Sequence, residues 1–144
     1  MNTIPEYMTA KHRECDDVFS EAESAVAQQN WPLALEKWQC FAQELNQHFN
    51  QEEDILFPKF EQATGMIAGP TQVMRMEHQQ MRALVQELDN ALAAKVKDEY
   101  LGLSETLMVM MQQHNMKEEM MLYPMMAEHV SDGNKIVDAF KSVS

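Results

Sequence analysis

The chain has 144 residues, a formal net charge of −12, 45% hydrophobic residues and 24% charged residues. This length is that of one domain, which can bury a substantial core without disulfides. Because an acidic chain repels phosphate backbones and anionic lipid headgroups, and no stretch of about 18 apolar residues occurs, neither nucleic acid nor a membrane is an expected partner.

The first residues carry neither the basic segment nor the apolar run of a signal peptide. The two cysteines, Cys15 and Cys40, are too few for a disulfide framework, and we expect both thiols to be free. These features predict a cytoplasmic protein.

Four long helices are predicted from a composition rich in Ala, Leu, Met, Glu and Gln. In chain order they cover about residues 5–29, 31–62, 71–94 and 98–129, and a short helix or tail follows. The breaks are Asn30-Trp31-Pro32, the loop 64–70, a weaker junction at 95–98 and a turn at 131–134. The prediction is an all-α, antiparallel up-and-down four-helix bundle, one domain over residues 1–144 with its core at about 6–130.

The second and fourth helices contain the same phrase, H-x-x-x-E-E-x-x-L-[FY]-P. One copy begins at His48 and the other at His114. The remaining two helices carry His12 and His78, whose separation along the chain equals that of His48 and His114. The chain therefore resembles two helical hairpins related by an internal duplication.

The four histidines are predicted to lie at one height in the bundle. The midpoints between successive histidines fall at positions 30, 63 and 96, which are the breaks between helices. A glutamate follows the second and fourth histidines by four residues, on the same helical face. Buried together, these polar groups would be costly unless cations bind them. The predicted metal ligands are His12, His48, Glu52, His78, His114 and Glu118.

Six nitrogen and oxygen ligands are too many for one tetrahedral zinc ion and suit two ions bridged by carboxylates. Imidazole with carboxylate suits iron, and ligand type alone leaves manganese and zinc open.

These residues resemble the hemerythrin-like, HHE cation-binding family over about residues 6–130. The match consists of the two phrases, His12 on the first helix, and Gly69-Pro70 followed by Glu77-His78 on the third. The resemblance implies a non-haem centre of two iron ions with oxo and carboxylate bridges, Glu52 and Glu118 supplying the carboxylates. It also implies a small diatomic ligand, O2 or NO, or the handling of iron.

Two positions differ from the oxygen-carrying hemerythrins. Those proteins have a fifth histidine, one turn from another on the third helix, where this chain has Met74 and Arg82 around His78. Their fourth-helix acid is an aspartate five residues after its histidine, whereas here Glu118 is at four and Glu119 at five. Either glutamate could bridge. The set of four histidines and two glutamates resembles the di-iron domain of iron-cluster repair proteins.

The residues leave carriage, sensing, detoxification and iron donation open, and with them whether the protein is an enzyme. The alternative is a non-catalytic bundle that binds zinc or manganese structurally, or buffers copper through the methionines at 108–126. For Glu53, Glu77 and Glu119 we expect a solvated face, although they could instead orient the histidine rings.

Overall fold

The computed structural model describes residues 3–143, and every regular element in that part of the chain is helical. Helix α1 is Ile4–Ala27, α3 is Pro70–Ala93 and α5 is Gly133–Val143. Helix α2 consists of Trp31–Gln51, a π-helical turn at Glu52–Leu56, and Phe57–Thr64. Helix α4 consists of Lys97–Lys117, a π-helical turn at Glu118–Leu122, and Tyr123–His129. The predicted all-α four-helix bundle with a short C-terminal helix is confirmed.

The ends of the helices follow from local chemistry. Thr3 and Glu6 form a capping box at the start of α1, and the Asn30 side chain caps α2. Gln29 and Lys95, which occupy equivalent positions in the two hairpins, adopt left-handed backbone conformations with φ of 58° and 57°. A left-handed residue just after a helix ends it. This explains how the chain turns at Lys95 without glycine or proline.

The helices pack in the cyclic order expected of an up-and-down bundle. Helix α1 packs along α2 and α3 along α4, while α1 also contacts α4 and α2 contacts α3. The C-terminal helix α5 packs on α1 and buries its apolar face, which includes Val137 and Phe140.

Two apolar cores fill the bundle, one on each side of a polar layer. The core toward the α1–α2 and α3–α4 connections contains Phe19, Trp38, Phe41, Leu88, Tyr100 and Leu107. The opposite core contains Ile4, Met8, Phe57, Phe60, Leu122, Val137 and Phe140. The apolar core thus continues into α5. The polar layer between the two cores contains the predicted ligands.

Both thiols are free as expected, Cys15 in the interior and Cys40 at the surface. Among residues 3–143, no helix combines the length and the apolar character that crossing a bilayer requires.

Replacement of Phe41 tests the packing of the apolar core that lies toward the α1–α2 and α3–α4 connections. Its side chain is fully buried, and its ring centroid lies 4.9 Å from that of Phe19 and 5.3 Å from that of Trp38. Phe41→Ala should lower the free energy of unfolding by roughly 3–5 kcal/mol, measured by urea denaturation. Val109→Ala, at a position that is 49% exposed, should change it by no more than about 0.5 kcal/mol. Equal effects of the two changes would contradict the core assignment.

Candidate metal centre

The structure brings all six predicted ligands into one buried cluster, which we call the central cluster. Each of its side chains belongs to a residue that is at most 4% exposed. Its members are His12 on α1, His48 and Glu52 on α2, His78 on α3, and His114 and Glu118 on α4. The six side chains lie at one level of the bundle, and coordination of a metal ion by them remains a prediction.

The cluster divides into two halves that follow the sequence repeat. In one half the Nε2 atoms of His12 and His48 are 3.1 Å apart. In the other half the Nε2 atoms of His78 and His114 are 3.2 Å apart. Two groups of donor atoms could each hold a cation, one made of His12, His48 and Glu118 and one made of Glu52, His78, His114 and Glu118.

Each glutamate of the cluster faces both halves. Glu118 Oε1 lies 3.1 Å from His12 Nε2 and 3.4 Å from His114 Nε2. Glu52 Oε1 lies 3.1 Å from His78 Nε2 and 3.7 Å from His48 Nε2. These positions suit carboxylates that bridge two cations. Of the two candidates on α4, it is therefore Glu118 that lies in the cluster.

Three glutamates adjacent to the ligands in sequence, which we call the outer glutamates, form a second layer of hydrogen bonds around the rings. The Nδ1 atom of His12 lies 2.7 Å from Glu119, that of His78 lies 2.6 Å from Glu53, and that of His114 lies 2.8 Å from Glu77. The expectation that these three glutamates only form a solvated face was wrong. Such bonds fix which ring nitrogen carries the proton and how the ring is oriented.

The resulting tautomers make the centre a cation site on physical grounds. Because a carboxylate only accepts hydrogen bonds, Nδ1 of His78 and of His114 must donate, so when either ring is neutral its lone pair lies at Nε2. These two Nε2 atoms face each other at 3.2 Å. Two neutral rings in this arrangement cannot hydrogen-bond to one another. A cation between them and the carboxylates would satisfy both, as well as the buried oxygens Glu52 Oε1 and Glu118 Oε2, which have no hydrogen-bond partner among residues 3–143.

Burial dominates the pKa values of three members of the cluster, whereas hydrogen bonds and charge override it for His114, whose pKa is raised, and for Glu118, whose pKa is held well below its ordinary value. Burial raises the pKa of Glu52 well above its ordinary value, and the nearby carboxylate of Glu118 adds to the effect. Burial lowers the pKa of His78 to about 4, with a further contribution from His114. Burial and the neighbouring His12 ring also hold the pKa of His48 well below its ordinary value. His48 and His78 are therefore neutral at physiological pH, the form that binds metal.

One ring departs from the pattern. The buried Nδ1 of His48 has no hydrogen-bond partner in the described part of the chain. The repeat explains this, because Lys11 occupies the position in the first hairpin that Glu77 occupies in the second. The His48 ring borders a pocket of about 140 Å³ that is also lined by Lys11, Cys15, Glu44, Gln47 and Gln51. Burial raises the pKa of the Cys15 thiol to about 12, so this cysteine is protonated near the site.

Sequence reasoning missed Tyr123. Its hydroxyl lies 2.7 Å from Glu52 Oε2 and 2.9 Å from Glu118 Oε1, as a donor to carboxylates. In a regular α-helix, a residue five positions after Glu118 points about 140° away from it. The π-helical turn Glu118–Leu122 greatly reduces this offset, because its wider winding lets the backbone N–H of Tyr123 bond to the carbonyl of Glu118, five residues earlier.

Proline helps to form both π-helical turns. Pro58 and Pro124 cannot donate a hydrogen bond to the carbonyl four residues earlier, and their rings clash with it. Those carbonyls belong to Asp54 and Met120, inside the turns at Glu52–Leu56 and Glu118–Leu122. The repeated Leu-aromatic-Pro ending of each phrase was the available signal.

Comparison with protein-family models gives a match to the hemerythrin HHE cation binding domain over residues 3–141. Searches of curated proteins and of solved structures found no significant match.

Removal of an outer carboxylate should weaken metal binding. Glu53 accepts hydrogen bonds from His78 and from Arg82, and it is mostly shielded from solvent. We expect Glu53→Gln to reduce metal affinity about 10–100-fold, measured by competition with a chelator, because the His78 ring loses its charged acceptor. Glu105→Gln, at an exposed position of α4, should leave affinity unchanged. Unchanged affinity in both variants would contradict the orienting role.

Metal binding should release protons. The raised pKa of Glu52 means that the metal-free cluster keeps a proton above its ordinary carboxyl pKa of 4.5. A cation must displace this proton, so affinity should rise with pH from about 4.5 toward the raised pKa. Calorimetry at one pH in two buffers of different ionisation enthalpy counts the protons released. Glu52→Gln should release fewer protons, and identical heats in both buffers for the unmodified protein would contradict the retention of a proton by Glu52.

Proposed function

Because the chain belongs to the hemerythrin HHE cation-binding domain family, we propose that its central cluster holds two iron ions and that the protein handles O2 or NO. The observation that carries this proposal is the pair of buried histidine couples whose Nε2 atoms face each other, joined by two shared glutamates. Imidazole nitrogen with carboxylate oxygen is a donor set that suits iron.

The donor count supports two cations with room for a further ligand. Each half of the cluster supplies two imidazoles, and Glu52 and Glu118 are shared between the halves. Divalent iron commonly accepts up to six donors, so four protein donors leave positions free. When bound, two such ions supply one-electron chemistry and vacant positions for a diatomic molecule.

The protein around the cluster favours a very small ligand. All six side chains are buried between two apolar cores, and an outer glutamate contacts each of the rings of His12, His78 and His114. The pocket of about 140 Å³ beside His48 is an opening that touches a cluster residue. A water molecule occupies about 30 Å³ of liquid volume. A space of this size is large enough for water, O2 or NO.

The chain also controls protons around the centre. His48 and His78 are neutral because burial lowers their pKa values. Each ring therefore offers a lone pair to a cation and carries no positive charge that would repel it. Arg82 and Lys117 donate hydrogen bonds to Glu53 and Glu77 respectively, which keeps those two carboxylates ionised as acceptors for the rings. The outer layer thereby orients the donor atoms of the cluster.

Anaerobic loading with Fe(II), followed by metal analysis and exposure to O2 or NO, tests the proposal. We expect about two irons per chain and a change of the absorption spectrum with at least one of the gases, because vacant positions at the centre are within reach of a diatomic molecule. His48→Ala should lose iron, whereas His129→Ala, at an exposed position outside the cluster, should retain it.

Three outcomes would contradict the proposal. One is preferential retention of zinc with a colourless product, which favours a structural site. Another is iron that a chelator or acceptor protein removes readily and that ignores both gases, which favours iron donation. The third is equal iron content in His48→Ala and the unmodified protein.

A further inference from the structure

We propose that Tyr123 is a seventh ligand of the centre, binding through its phenol oxygen to the cation held by His12 and His48, so that the two metal positions are chemically different. This inference rests on the metal centre proposed above. It adds a tyrosine that occurs in only one of the two copies of the repeated phrase.

The position of the Tyr123 oxygen is that of a donor atom within one coordination sphere. It lies 3.1 Å from His12 Nε2, 3.3 Å from His48 Nε2, 2.7 Å from Glu52 Oε2 and 2.9 Å from Glu118 Oε1. Adjacent donors around one cation, each at about 2.0–2.2 Å, are themselves about 3 Å apart. The phenol oxygen is thus as close to each of these four atoms as ligands of one ion are to one another.

The residue is held in place by its surroundings. Tyr123 is fully buried, in the apolar core that contains Leu56 and Met126. Its ring stacks on that of His12, with centroids 5.6 Å apart and planes 29° apart. The hydroxyl is buried, and its hydrogen-bond contacts are those of the cluster.

The other half of the centre lacks this donor. The repeat counterpart of Tyr123 is Phe57, which stacks on His78 in the same way, with centroids 5.8 Å apart and planes 21° apart. A phenyl ring therefore stands where the first half has a phenol. The cation held by His78 and His114 has one protein donor fewer, and an external ligand should bind there in preference.

Coordination would exchange a proton for the cation. The O–H bond of Tyr123 breaks, its electron pair stays on oxygen and forms the bond to the metal, and the proton leaves to solvent. No oxidant or reductant takes part. The competing arrangement is a phenol that keeps its proton and only donates hydrogen bonds to Glu52 and Glu118. In that case Tyr123 positions the carboxylates without binding the metal.

Visible and resonance Raman spectra of the iron(III) protein separate the two arrangements. The protein is loaded with Fe(II), chemically oxidised and desalted, and its iron content is measured on the same sample. A phenolate bound to iron(III) gives a charge-transfer band in the visible range and tyrosinate ring vibrations in the Raman spectrum. We expect both signals in the unmodified protein and neither in Tyr123→Phe.

Phe57→Tyr is the matched control, since it adds a hydroxyl at the equivalent place in the other half. It should keep the signals of Tyr123 and intensify the band, and the double variant Tyr123→Phe with Phe57→Tyr should recover a band. Circular dichroism of each variant confirms that the bundle has folded.

The outcomes distinguish this inference from the one on which it rests. Two irons per chain without phenolate signals, or signals that persist in Tyr123→Phe, would overturn the ligand role and leave the di-iron proposal intact. Failure of the unmodified protein to bind iron would overturn both.

Discussion

The structure depends on the electrostatic cost of placing a polar layer between two apolar cores. Two carboxylates and four imidazoles occupy the middle of the bundle, where water cannot solvate them. Hydrogen bonds that three of the rings donate to the outer glutamates orient those rings but also commit their inner nitrogens to act as acceptors when the rings are neutral. The layer is therefore rich in acceptors and poor in donors, and positive charge is what completes it. Cation binding and the stability of the fold are therefore energetically coupled.

Much of this arrangement was predictable because it follows from regular helical geometry. The equal spacing of the two histidine pairs and the midpoints at the helix breaks placed His12, His48, His78 and His114 at one height, and the structure brings them together. The four-residue spacing placed a glutamate beside two of them. The bundle itself, and even the weak junction at Lys95, followed from breakers and length.

What the sequence did not predict depends on departures from regular geometry. Tyr123 lies five residues after Glu118, a spacing that points away from the cluster in an α-helix and toward it only through a π-helical turn. The outer glutamates were missed for a different reason. Glu53 and Glu77 are partly exposed, and only the rotation of a ring on a neighbouring helix decides whether they face water or an imidazole. Periodicity within one helix carries no information about that rotation.

The two π-helical turns have a consequence for how the chain tolerates change. Each accommodates one residue more than an α-helical turn would, and everything beyond it is rotated accordingly. Ordinary α-helical winding over the same residues would swing Phe57 and Phe60 away from the interior together. Loss of a single residue between Glu52 and Leu56 would instead leave both rings facing the interior, because four residues of α-helix cover nearly the same rotation as five residues of π-helix. In this bundle, the local winding of two short turns decides which way the aromatic residues beyond them point.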